Sequence, residues 1–88
     1  MNEKNLAKEF VESAVRLIAS YPDEVSVERT VDNMGVLLTV SLNPSDCGMI
    51  IGRGGVVVNS LRRLASVIGI KNGERISIKI TDYLSHHF

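Results

Sequence analysis

The chain has 88 residues, 44% of them hydrophobic, with 10 Lys/Arg balanced by 10 Asp/Glu and a single cysteine, Cys47. That is the size of one small domain with one core. Zero net charge argues against a strongly basic nucleic-acid binder, a lone cysteine excludes an internal disulfide framework or a cysteine-based zinc site, and no apolar run reaches bilayer-spanning length.

Acids at Glu3, Glu9 and Glu12 interrupt the first apolar residues, which argues against a signal peptide, and the expected setting is a reducing cytoplasm. Leu6, Phe10, Ala14, Leu17 and Tyr21 recur at helical spacing, with Val11 and Ile18 beside them, so an amphipathic helix is predicted from about Glu3 to Ser20. Pro22 ends it by disfavouring the helical conformation at Tyr21. From Val25 to Val31 the period becomes two: Val25, Val27 and Val31 face one way, and Arg29 on that same face suggests a sheet edge or a bulge. Asp32-Asn33-Met34-Gly35 reads as a turn, and Val36, Leu38, Val40 and Leu42 form a second strand paired with the first as a hairpin. Asn43-Pro44-Ser45-Asp46 breaks that strand and opens a short helix, with Ser45 or Asp46 as its cap. A longer helix is predicted from Val56 to Ile68, with Val57, Leu61, Leu64, Ala65 and Ile68 inward and Gly69 as C-cap. Asn72-Gly73 marks a turn before a third strand, in which Ile76, Ile78 and Ile80 alternate with Ser77, Lys79 and Thr81. Residues 83–88 are a short tail, whose His86-His87 pair lacks a third ligand for a metal site. The two helices between strands 2 and 3 make a right-handed crossover and a parallel pairing. The fold class is therefore α+β, order α-β-β-α-α-β, with a three-stranded mixed sheet and helices on one face.

The most informative stretch is Ile50-Ile51-Gly52-Arg53-Gly54-Gly55-Val56-Val57-Val58. Glycines at Gly52 and Gly55 permit a sharp bend and close approach of another backbone. A helix starts directly behind them, and its unpaired N–H groups and partial positive charge suit phosphate. Arg53 adds a full charge at the tip. Charge is also unevenly spread: residues 1–44 hold four Lys/Arg against seven Asp/Glu, whereas residues 45–75 hold five (Arg53, Arg62, Arg63, Lys71, Arg75) against two (Asp46, Glu74). A local basic patch attracts phosphate even on a neutral protein, weakly and with salt sensitivity. Gly48 reads as a packing glycine in the short helix, and Cys47 as a small buried hydrophobe.

A helix pair broken by Ile51-Gly52-Arg53-Gly54-Gly55 resembles the KH domain, and the element order resembles its type II, prokaryotic form. Asp46, Gly48, Ile51, Gly52, Arg53 and Gly55, followed by Leu61-Arg62, are similar to the motif of small bacterial single-KH proteins of the KhpA type, over roughly residues 3–82. Residues 1–82 would then be one KH domain. Two positions depart from the pattern: Gly54 replaces a polar or basic residue, and Val56-Val57-Val58 is apolar where a basic residue is common. The resemblance implies single-stranded RNA binding with little sequence selectivity. It also implies RNA chaperoning with a larger, multi-domain KH protein of the KhpB type, linked to cell elongation and cell-wall homeostasis. In such a domain phosphates would lie along Gly52, Arg53, Gly54 and Gly55, and bases over a floor of Ile50, Ile51, Val57 and strand 2. The opposite wall falls to Ile70-Lys71-Asn72-Gly73, with Lys71 near the nucleic-acid backbone and Arg62 on the helix as a further contact. Two such grooves in a homodimer would raise affinity through effective concentration, and the apolar surface of the second core helix offers an interface.

A nucleotide-binding enzyme is the rival reading. Counting from Gly52 or Gly54, the last glycine of a dinucleotide fingerprint would fall at Val57 or Asn59, and the phosphate-loop lysine is missing. The chain also pairs no serine or cysteine with a histidine and an acid. Neither an enzyme nor a cofactor is expected. A protein-interaction module with a vestigial groove is the alternative that neutral charge and Gly54 leave open.

Overall fold

The computed structural model describes residues 5–82. Helix α1 (Leu6–Ile18) buries Ala7, Val11 and Val15. This stripe lies one position round from the expected one: Leu6, Phe10 and Ala14 are half-buried, while Leu17 is 87% exposed. The helix carries two adjacent apolar stripes, and the small or β-branched one allows the closer approach to the sheet. α1 also stops two residues early. Asp46, buried at the start of the helix that follows the hairpin, accepts the amides of Ser20 (2.8 Å) and Tyr21 (3.0 Å). Those bonds draw the chain out of the helix at Ala19, before Pro22 acts. Asp46 is thus a tether rather than a cap.

After a 3-10 turn at Pro22–Glu24, β1 (Ser26–Asp32) and β2 (Gly35–Leu42) form the expected hairpin, in continuous antiparallel register from Ser26 opposite Ser41 to Asp32 opposite Gly35. No bulge interrupts it. Arg29 sits on the inward face because β1 is an edge strand and its guanidinium is paired with Glu74. Val31, expected on that face too, is 60% exposed near the hairpin tip. Asn43, not Ser45 or Asp46, caps α2 (Pro44–Ile51), its side-chain oxygen accepting the Ser45 amide at 2.9 Å with Pro44 in the first turn. Asn43 precedes Pro44, which holds it extended, the backbone conformation a cap requires.

A 3-10 turn at Arg53–Gly55 leads into α3 (Val56–Lys71), which buries Val58, Leu61, Ala65 and Gly69. Leu64, expected inward, is 54% exposed. Gly69 is not the C-cap. The helix continues to Lys71, and Gly69 lies where a Cβ would come within 2.5 Å of Ile76 Cγ1 and 2.7 Å of Glu74 O. Its bare backbone lets the chain fold back into β3 (Ile76–Asp82), with Glu74 N–H donating to Gly69 O at 2.7 Å. β3 pairs parallel with β2, giving the order β1-β2-β3. Alternate residues of β2 and β3 (Val36, Leu38, Val40, Leu42, Ile76, Ile78, Ile80) are buried beneath the helices, with Ile50, Val11 and Val15 completing the core. The α-β-β-α-α-β order and mixed sheet are those expected from the sequence.

Candidate nucleic-acid interface

The bend between α2 and α3 is built from backbone. The amides of Gly52, Gly55 and Val56 bond back to the carbonyls of Gly48, Gly52 and Arg53. Gly52 adopts φ +81°, ψ 167°, a region essentially reserved for glycine, and a Cβ there would lie 2.7 Å from Val57 Cγ2 and 2.8 Å from Val57 N. Gly55 (φ +80°) opens α3 against the Asn59 side chain, and Gly54 (φ +62°) has open space where a Cβ would stand. Arg53 and Gly54 are exposed at the tip, and among the described residues Arg53 has no ion-pair partner. The tip therefore presents a free positive charge ahead of a helix N-terminus.

From this loop a groove runs between α3 and β3. Its near end is a hollow of about 210 Å³ lined by Ile51, Gly55, Val58, Asn59, Arg62 and Ile80. A second hollow of about 430 Å³ lies at the far end, lined by Ser66, Ile70, Gly73, Glu74, Arg75 and Ile76. The wall opposite α3 is the edge of β3 that no strand among the described residues pairs, not β2, because β2 is paired on both sides. The phase of β3 follows from two bonds. Arg75 O faces β2, where it accepts the Val36 amide at 2.7 Å, and Ile78 O faces outward, where it accepts Arg62 Nη2 at 3.2 Å. Successive peptide groups of a strand alternate in direction. Ile76, Ile78 and Ile80 therefore turn their N–H and C=O groups to the groove, an unfinished ladder that an extended ligand could complete.

Of the residues expected at the site, the structure gathers Ile51, Gly52, Arg53, Gly54, Gly55 and Arg62. Three lie elsewhere. Ile50, expected on the floor, is wholly buried in the core. Val57 is half-buried against Gly52, one helical step from the groove, and Val58 lines the hollow instead. Lys71 is 15 residues from Val56 along α3, a distance of about 22 Å along the axis, and lines a separate groove against α1 with Leu6, Glu9 and Phe10. The far end is served by Arg75. Gly48 faces solvent with nothing within 4 Å of a would-be Cβ, so it is not a packing glycine and nothing in the structure explains it. The residues missed (Asn59, Ser66, Ile80 and the β3 edge) had a partial signal: Gly55, Asn59, Arg62, Ser66 and Ile70 recur at three or four residues along α3, a stripe separate from the core stripe.

Cys47 is buried, and burial, then the nearby Asp82 and Asp46 carboxylates, push its thiol up from the ordinary 9.0. A protonated, enclosed thiol is an inert packing group. His86-His87 lie outside the described residues. Among those described, no helix is long and apolar enough to cross a membrane.

A family model described as KhpA/KhpB, KH domain, matches residues 8–80, a span that takes in the loop, α3 and β3. The chain belongs to this family. It is of the small single-KH, KhpA type, and its element order is that of the type II KH fold. Similar curated relatives include "RNA-binding protein KhpA" of Mycobacterium leprae, 39% identical over 72 residues that cover 82% of this chain and 89% of the relative. Proteins of the same name from Leifsonia xyli (35% over 68 residues; 77% and 87% covered) and Clostridium acetobutylicum (25% over 73 residues; 83% and 97%) are also similar.

Proposed function

We propose that this KH protein binds single-stranded RNA, with the Gly52–Gly55 loop against the phosphates and the α3–β3 groove under the bases. The observation that carries this reading is the juxtaposition of an exposed Arg53, without an ion-pair partner among the described residues, with a strand edge whose peptide groups face an open groove. The relatives are RNA-binding proteins by name, which supports the same ligand. Phosphate contact rests on the Arg53 side chain and the Arg53 and Gly54 amides, which the bonds of the bend leave open, with Arg75 farther along. Ile51 and Val58 supply aliphatic packing for bases, since among the described residues no aromatic side chain lines either hollow. The role is binding, not catalysis.

Its cellular role, on this reading, is that of a cytoplasmic RNA chaperone working with a larger, multi-domain KH protein of the KhpB type and affecting cell elongation and cell-wall homeostasis. One short groove holds RNA weakly, and pairing two grooves, in a homodimer or with that partner, multiplies affinity by roughly 10²–10⁴ when both reach one strand. The outer face of α3 supports such pairing: Val56, Leu64 and Val67 are each more than half exposed on the side away from the sheet.

The test is the double variant Arg53→Asp/Gly54→Asp in the full chain. Gly54 has room and a left-handed conformation that aspartate tolerates, so the fold should survive. Binding to a short single-stranded RNA should be lost, and wild-type binding should weaken as salt rises. Unchanged affinity in the variant would refute the assigned site. Assembly with a KH partner but no RNA binding by either would favour the interaction-module reading.

A further inference from the structure

Arg62 lies across the middle of the groove. Its Nη1 donates to Asn59 Oδ1 at 2.9 Å and its Nη2 to the outward Ile78 carbonyl at 3.2 Å. Both acceptors are neutral, and among the described residues no carboxylate pairs with it. The guanidinium thus occupies the central rung of the β3 edge, and a base that docks on that rung must displace it. Resting on the RNA-binding reading above, we propose that Arg62 selects the base seated over Ile78, favouring cytosine and guanine over adenine and uracil.

The argument is one of edge chemistry. The vacated Ile78 carbonyl needs a donor. The released guanidinium, anchored one side chain away, presents parallel N–H groups that are satisfied together only by two adjacent acceptors. Cytosine has the N4 amino donor beside N3 and O2. Guanine has N1–H beside O6 and N7. Adenine separates its acceptors N1 and N7 by the N6 amino group, and uracil separates O2 and O4 by N3–H. Either would engage only one arm of the fork and forfeit the second charge-assisted bond. A good bidentate contact discriminates by roughly 5- to 100-fold. Lysine at this position would keep the charge and lose the fork.

The experiment is fluorescence anisotropy with labelled single-stranded RNA octamers: oligo-C, oligo-U, oligo-A, and oligo-U with guanine at alternate positions. Wild-type protein should bind the cytosine and guanine octamers roughly 5- to 100-fold more tightly than the other two. Arg62→Lys should bind all four within about twofold, near the wild-type affinity for oligo-U, as expected for a retained charge without a fork. A preference that survives in Arg62→Lys, or equal wild-type binding to all four, overturns the selection and leaves RNA binding standing. No binding of any octamer by the wild type sinks the RNA reading itself. Should Arg62→Lys fail to fold, the wild-type amide resonance of Lys79, in the same peptide as the Ile78 carbonyl, decides. It should shift more with oligo-C than with oligo-A at saturation, and equal shifts overturn the proposal.

Discussion

Gly52 and Gly54 stand two residues apart in one loop, both at positive φ, and the structure demands different things of them. Alanine at Gly52 meets two penalties. Its backbone (φ +81°, ψ 167°) lies in a region that costs a non-glycine residue about 1–3 kcal/mol. Its Cβ would press on Val57 at 2.7 Å from Cγ2 and 2.8 Å from the amide nitrogen, where overpacking costs about 1–3 kcal/mol more. The sum is about 2–6 kcal/mol, against a total of about 4–13 kcal/mol for a chain of this length. Alanine at Gly54 meets only the left-handed backbone penalty, about 1–2 kcal/mol, because its Cβ would stand in open space. Each kcal/mol moves Tm by roughly 4–8 °C in a domain this small. Urea and thermal unfolding of Gly52→Ala, Gly54→Ala and Gly54→Asn should separate the first from the other two, with Gly54→Asn close to wild type. Equal losses at Gly52 and Gly54 would refute the reasoning that Val57 leaves no room for a Cβ at Gly52.

Asp46→Ala should cost about 2–4 kcal/mol by urea unfolding, since two partly buried amides at Ser20 and Tyr21 lose their shared acceptor. Gly69→Ala gains about 1 kcal/mol of helix propensity but drives a Cβ to 2.7 Å from a backbone carbonyl. The net effect should be destabilising, by roughly 1–2 kcal/mol, and a more stable variant would contradict it. The raised thiol of Cys47 stabilises the fold fully below its unfolded value of 9.0 and loses that contribution as pH rises through the folded value. Wild-type Tm should therefore fall more steeply than that of Cys47→Ala above pH 9.0, and in parallel with it below.

The strands were legible because period two is unambiguous in Val36–Leu42 and Ile76–Thr81, and the crossover rule then set their direction. The loop was legible because three glycines and an arginine are costly to place anywhere but a bend. Helix faces were harder. In α1 two neighbouring apolar stripes compete, and only the sheet decides that Ala7, Val11 and Val15 go in and Leu17 stays out. α3 is apolar on several sides, so Leu64 looked no different from Leu61. Capping failed for a related reason: Asn43, Ser45 and Asp46 all have capping side chains, and the choice fell to Asn43 because the loop after α1 claims Asp46. The groove needed the third dimension. Nothing in the order of residues says that Ile78 turns its carbonyl outward, or that Lys71 and Arg75, four apart, end on opposite sides of α3.

The parallel rung of β2 and β3 joins Val36 to Ile76, a separation of 40 residues. Such distant pairing is slow to form and waits on everything between. During translation the hairpin and helices can gather as they emerge, yet the cleft has only one wall until β3 has cleared the ribosome. On the proposed reading, a nascent chain has no complete groove to offer the message that encodes it, and the binding surface forms only once β3 is free to pair.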